Sequence, residues 1–187
     1  MAGQSYQELF IAGISGGRLY QSLPGGTLPA DLAAPTDGWV DLGYLSEDGH
    51  GFTESMESTD IKVWPGTGIA RTITTSRTAE AKFALAQWNA DTLAFRFGGT
   101  WTTAASVHTL KVPVNRITES MLIVDNVDGG RTYRYIWARA FISGFEEIAH
   151  KAGEPALLGM TCKILPVDDV DWWELRSDDP ALAAVVL

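Results

Sequence analysis

The stretch from Thr132 to Ser143 constrains this chain more than any other, because it alternates with a period of two and is apolar on both sides. Tyr133, Tyr135, Trp137 and Phe141 fall on one face, and Ile136, Ala138, Ala140 and Ile142 on the other. A strand at a solvated surface keeps one polar face, so a strand that is apolar on both faces needs cover on both. In one domain of 187 residues, part of that cover is expected from another subunit. Tyr135 and Trp137 are the residues expected to meet it.

The rest of the chain reads as further short strands. Its 19 glycines are spread along the sequence, which implies many turns and so many strand ends. Strands are expected at Arg18–Leu23, Trp39–Leu45, Val107–Val112, Met121–Asp125 and Leu158–Leu165, with two more between Ile69 and Trp88. Asp125-Asn-Val-Asp-Gly-Gly130 reads as the hairpin turn before the doubly apolar strand. The period changes once, at Asn89–Gly98: Asn89 caps a helix, Asp91 suits its first turn, and Gly98 ends it. Pro24 to Asp37 is a long connection. The expected fold is mainly β, an antiparallel β-sandwich or barrel with one short flanking α-helix, in a single domain over residues 1–187.

Two segments fit that domain poorly. Asp41 to Asp60 carries six acidic residues and no basic one. Within it, Ser46–Gly51 reads as a turn leading into an extended arm that ends at Trp64-Pro65-Gly66. Phe52 and Met56 share a side with Glu54 between them, a poor core pattern, so residues 46–66 are expected to project. Beyond Pro166 an acidic run through Trp172-Trp173 ends apolar at Leu187, and residues 166–187 read as a solvated tail.

The net charge of −9 argues against a free-standing nucleic-acid binder, which needs cations to displace counterions, and against docking on anionic membranes. Cys162 is the single cysteine, which rules out an internal disulfide and a cysteine metal cluster. The first residues lack the basic flank and apolar core of a secretory signal. The apolar stretches fall short of the roughly 18 residues that span a bilayer. A soluble chain made in a reducing cytoplasm is expected.

Nothing in the pattern requires chemistry. Gly13-Ile-Ser15-Gly-Gly17 matches a nucleophile elbow in letters, but a strand follows where a helix is needed. His50, His108 and His150 are isolated. Asp168, Asp169, Asp171 and Glu174 lack the spacing and glycine of a calcium loop. Asp125 and Asp128, flanked by glycines, suit a turn better than a carboxylate pair, and Glu146 and Glu147 have no evident partner. The seven tryptophans invite a sugar-binding reading, but their scatter favours core and interface positions. No catalytic, cofactor or metal site is expected.

Several blocks carry a family resemblance: Gly16-Gly-Arg-Leu-Tyr20, Gly26-Thr-Leu-Pro29, Trp39-Val-Asp-Leu-Gly-Tyr-Leu-Ser-Glu-Asp-Gly49, Thr53-Glu-Ser55 and Asp60-Ile-Lys-Val-Trp-Pro-Gly66. With them go the strands from Arg71 to Gln87, Asn89–Gly98, Asp125–Arg131 and the strand through Arg139. From about Gly13 to Asp171 the chain resembles the major tail tube proteins of long-tailed, non-contractile bacteriophages of the actinobacteriophage type. Trp172-Trp173 and the apolar end lie outside that resemblance. The resemblance implies a virion protein, made in the bacterial host cytoplasm, that assembles with itself into hexameric rings stacked as a tube. Its implied partners are a tape-measure protein, a tail terminator and tail-tip or baseplate proteins, with DNA passing through the lumen unbound. Phe52, Met56, Ile61 and Trp64 are then expected at ring-to-ring contacts. The alternatives are another ring-forming tail component (terminator or baseplate), a β-sandwich carbohydrate-binding module, and a small hydrolase using Ser15.

Overall fold

The computed structural model describes residues 17–23, 26–64, 66, 68–115, 118–167 and 171–183. Ser15, Asp168 and Asp169 lie outside these residues. The elements, in chain order, are β1 (Gly17–Ser22), β2 (Trp39–Lys62), β3 (Ile69–Leu85), α1 (Ala90–Phe97), β4 (Thr100–Ala104) and β5 (Val107–Lys111). Then come β6 (Ser120–Asp128), β7 (Arg131–Phe145), β8 (Leu158–Ile164), β9 (Glu174–Ser177) and a 3-10 turn at Pro180–Leu182.

The ladders run β6–β1–β2–β3–β8–β7, all antiparallel, and a β6–β7 ladder joins the ends. The sheet therefore closes into a barrel, which removes edges where the ladders meet; the first half of β7 and the outer β2–β3 ribbon lie beyond that closure. Cross-strand pairs build the interior: Ala79 faces Ile164, Ala81 faces Cys162, Phe83 faces Met160 and Leu85 faces Leu158. With Leu19, Leu42, Leu122, Val124, Trp137 and Ala140 they form one buried cluster, which Phe95 of α1 joins. The helix has the expected ends. Asn89 accepts from the Thr92 amide, the Thr92 hydroxyl accepts from the Asn89 amide, and Gly98 takes the left-handed conformation at φ 64°.

The doubly apolar strand is β7, and both its faces are covered. Inside, Tyr135 and Trp137 meet the barrel cluster. Outside, Ile136 packs with Tyr20, Trp39 and Ile123. The cover on that side comes from the chain's own connection before β2. Trp39 Nε1 donates to the Thr27 carbonyl, and Arg134 donates to the carbonyls of Asp31 and Leu32. The expected division of β7 into two faces also changes partway. Leu122 faces Trp137 while Ser120 faces Ala140, so β7 holds one extra residue there, a bulge. Beyond it Ala140 and Ile142 point inward, and Phe141 does not share Trp137's face.

Other boundaries shift for physical reasons. The β6–β7 turn is only Gly129-Gly130, at φ 57° and 88°, the positive pair that a two-residue type I′ hairpin needs. Asp125 is no turn residue: it sits buried in β6. Ser46–Gly51 is not a turn either. It lies within β2, where Leu45 faces Leu85 and His50 faces Phe83, so the residues between bulge outward. Ile69–Leu85 is one strand rather than two, and Glu174–Ser177 of the supposed tail is a strand on β7.

Candidate assembly surfaces

The arm expected at 46–66 is a β-hairpin. β2 and β3 stay paired from Phe52–Ala81 out to Lys62–Ile69, whereas β1 reaches β2 only as far as Tyr44 and β8 reaches β3 only as far as Ala79. Beyond Glu54 and Ala79 the two strands have no other strand beside them among the described residues. At about 3.3 Å per residue, the run from Ser55 to Lys62 carries the tip roughly 25 Å past the barrel.

Its side chains explain why it stays extended without a core. Thr53, Ser55, Thr59, Thr72, Thr74 and Thr78 suit a pleated ribbon while tolerating water. Cross-strand bonds add order: Ser55 to Thr78 at 2.6 Å between hydroxyl oxygens, Thr72 to Asp60 at 2.7 Å, and Arg77 to Glu54 at 3.0 Å. The tip is apolar and unpacked. Trp64 is 93% exposed, and Val63, Ile61 and Ile69 are exposed beside it.

The six residues expected at interfaces divide by depth. Met56, Ile61 and Trp64 are exposed on the hairpin. Phe52 and Tyr135 are half-buried at its root. Trp137 is fully buried in the protomer's own barrel, so direct contact with a neighbour is closed to it here. Alternation alone does not distinguish cover by a subunit from cover by a distant part of the same chain.

The root is an aromatic cluster. Phe52 stacks on Trp137 with centroids 6.2 Å apart, and Trp173 meets Phe52 edge-on at 5.2 Å and Tyr135 at 5.9 Å. His50 lies edge-on to Tyr135 at 5.7 Å, and burial holds its pKa below the ordinary 6.5. Trp173 Nε1 donates to Glu54 Oε1 at 2.6 Å. Beside the barrel's second cluster, Arg134 makes a two-point contact with Asp125 at 2.7 and 2.6 Å.

The remaining candidates lie apart. His108 Nδ1 is 2.9 Å from the Thr103 hydroxyl, and His150 packs against Trp88. Asp171 pairs with Val167 in an isolated bridge. Glu146 meets Lys82 at 2.6 Å. Among the described residues no three His, Cys, Asp or Glu side chains gather as a metal site, and no helix is long and apolar enough to cross a membrane.

The family model described as phage tail tube protein matches residues 1–186. The chain belongs to the phage tail tube protein family. It is therefore a non-enzymatic structural component of the virion tail that forms the tail tube, as its sequence motifs led us to expect. Proteins of this kind assemble with copies of themselves in tail complexes. The match runs past Asp171 and so takes in Trp172-Trp173.

Solved structures similar to the chain come from contractile injection systems. The sheath/tube terminator of the PVC extracellular system in its extended state has a TM-score of 0.48 at 9% identity, over 90% of this chain and 99% of that one. The PVC sheath–tube complex gives 0.48 at 9% identity, over 93% and 99%. The anti-feeding prophage baseplate gives 0.43 at 12% identity, over 90% and 97%. No curated protein sequence matches the chain.

Proposed function

We propose that this tail tube protein forms hexameric rings in a long, non-contractile tail and that the β2–β3 hairpin is the arm linking one ring to the next. The observation that carries this reading is the hairpin itself: a polar ribbon with two open edges and Trp64 at its tip, 93% exposed. Open edges are a hazard in a monomer and a binding site in an assembly. A head-to-tail contact of this type propagates along an axis, as a tube requires. Met56 and Ile61 lie along the arm and Phe52 at its root. The non-contractile assignment rests on the Gly43–Gly49 and Ile61–Trp64 blocks.

The expected partners beyond the protein itself are a tape-measure protein within the lumen, a terminator at one end and tail-tip or baseplate proteins at the other. A net charge of −9 suits a conduit through which DNA phosphates slide without adhering.

The test is negative-stain microscopy with light scattering over a concentration series of the full chain, beside Trp64→Ala. Tubes from the parent, lost or strongly delayed in Trp64→Ala, are expected. Single rings at every concentration indicate a terminator-type component and overturn the tube reading. A chain that stays monomeric even with tail-tip complexes overturns it too, and unimpaired Trp64→Ala tubes remove Trp64 from the contact.

A further inference from the structure

Trp172 and Trp173 stand where the hairpin leaves the barrel. The last β3–β8 pair is Ala79–Ile164, and Ala79 also faces Glu54 of β2. At that boundary Glu54 Oε1 accepts two bonds, from Trp173 Nε1 at 2.6 Å and from the Arg77 guanidinium at 3.0 Å. Arg77 also lies over the Trp172 ring, 5.4 Å from its centre. Phe52, two residues inward, is held between Trp173 and Trp137. Both strands of the hairpin are thus gripped at one point by two adjacent indoles.

The gripping segment is anchored elsewhere. β9 pairs with β7 from Ile136–Glu174 to Tyr133–Ser177. Asp179 then accepts from the Tyr133 hydroxyl and from Arg131. A two-stranded ribbon has little stiffness of its own, so its angle is set at its root. With a lever of roughly 25 Å, a swing of about 10° displaces the tip by about 4 Å, more than a packed contact tolerates.

We propose that Trp172 and Trp173 form a latch, closing on Glu54 and Arg77, that fixes the angle of the hairpin and so presents it ready for assembly. These are positioning residues, and their role rests on the reading of the hairpin as the ring-to-ring arm. The C-terminal segment thereby governs an interface it does not itself enter. Because the hydrogen bond and the stacked cation are both exposed to water at the rim, the latch tunes the arm without holding the barrel together.

The test uses the full chain with spin labels at Ser58→Cys on the arm and Ser143→Cys on β7, measured by pulsed dipolar spectroscopy on monomers. Native Cys162 is buried and escapes labelling. A narrow distance distribution is expected in the parent. Glu54→Ala, a surface change that leaves the barrel untouched, and Trp173→Phe, which keeps the ring but loses the donor, each broaden it. Combining them broadens it no further than Glu54→Ala alone, since that change already removes the bond that Trp173→Phe loses. The concentration needed for tubes rises roughly tenfold, the cost of ordering the arm on binding, while melting of the monomer barely moves.

Unchanged distances in both variants overturn the latch. Broadened distances with normal assembly show that the angle does not matter and also overturn the proposal. In that case Trp64→Ala, which leaves the root intact, separates the two ideas: if it blocks tubes, the arm reading survives and only the latch falls. If it does not, the arm reading falls as well.

Discussion

Arg134→Met should destabilise the monomer by about 3–4 kcal/mol, the lower part of the usual range for breaking a buried ion pair. The structure sets both the size and the limit. Arg134 is 0% exposed and makes a two-point contact with Asp125 at 2.7 and 2.6 Å. It also donates to the carbonyls of Asp31 and Leu32 at 2.8 and 3.2 Å. Methionine fills much of the volume, so the cavity contribution is small. What remains is a carboxylate with only 12% of its side chain exposed that has lost its two-point partner, while Arg18 across the β1–β6 ladder is engaged with Asp41. Loss of the carbonyl bonds frees the connection before β2, which covers Ile136. For a chain of this size the change corresponds to a fall of roughly 10 °C in melting temperature. The assay is urea unfolding followed by tryptophan fluorescence, below the assembly concentration so that association does not inflate stability. The double variant Arg134→Met/Asp125→Leu removes both charges and should return to within about 1–2 kcal/mol of the parent; the two carbonyls account for the remainder. A single variant costing under about 1 kcal/mol, or a double variant no better than the single, refutes the assignment of this pair as the connection's anchor.

Two further outcomes follow from burial. His50 is held neutral among aromatic rings with its pKa below 6.5, so the unfolded chain binds the proton more readily; the contribution is full above about pH 6.5 and is lost as pH falls towards the folded value. Comparing urea midpoints of the parent and His50→Phe from pH 7 to pH 5 should show a steeper fall in the parent; parallel curves refute it. Cys162 lies inside the barrel with its thiol pushed up to about 12 by desolvation, so a disulfide reagent at pH 8 should leave the native chain unmodified and react at once in urea. Prompt reaction of the folded chain would place Cys162 outside the core.

Local signals were legible where neighbours in sequence are neighbours in space. Asn89, Thr92 and Gly98 act within one helix, and both of its ends were readable. Within the segment expected to be strand between Ile69 and Trp88, Ala81, Phe83 and Leu85 alternate with Glu80, Lys82 and Ala84 and are the inward positions of β3. The β2–β3 hairpin was half legible: its projection showed as poor patterning, yet its strand character did not, because threonine and serine give a ribbon no apolar period. The Ser46–Gly51 turn signal was real chemistry serving a bulge between Leu45 and His50, since β3 continues pairing beyond it. Contacts across the chain were silent. Glu174–Ser177 becomes a strand only because β7 offers it an edge. Trp173 and Glu54 are 119 residues apart. One clue was available: Arg134, a cation amid a doubly apolar run, demanded a buried partner, and Asp125 on the preceding strand was the nearest acceptor at hairpin spacing.

On the proposed reading of the hairpin as a ring-to-ring arm, its open edges must avoid pairing before neighbours arrive, and its composition meets that need. A flat apolar ribbon in its place is an aggregation template. Here Glu54, Glu57, Asp60, Lys62, Arg71 and Arg77 put charge along both strands, and the register breaks between Glu57 and Ser58 and again between Ile61 and Lys62. Each break adds twist, so a chance partner can pair over only a few residues before its register fails. A protomer whose own edge carries the complementary twist and charge, presented at the angle set by the root, can pair along more of the length. On that reading, the features that make residues 46–66 look unlike a core strand, acidity and missing alternation, are the ones that would reserve its edges for the tube.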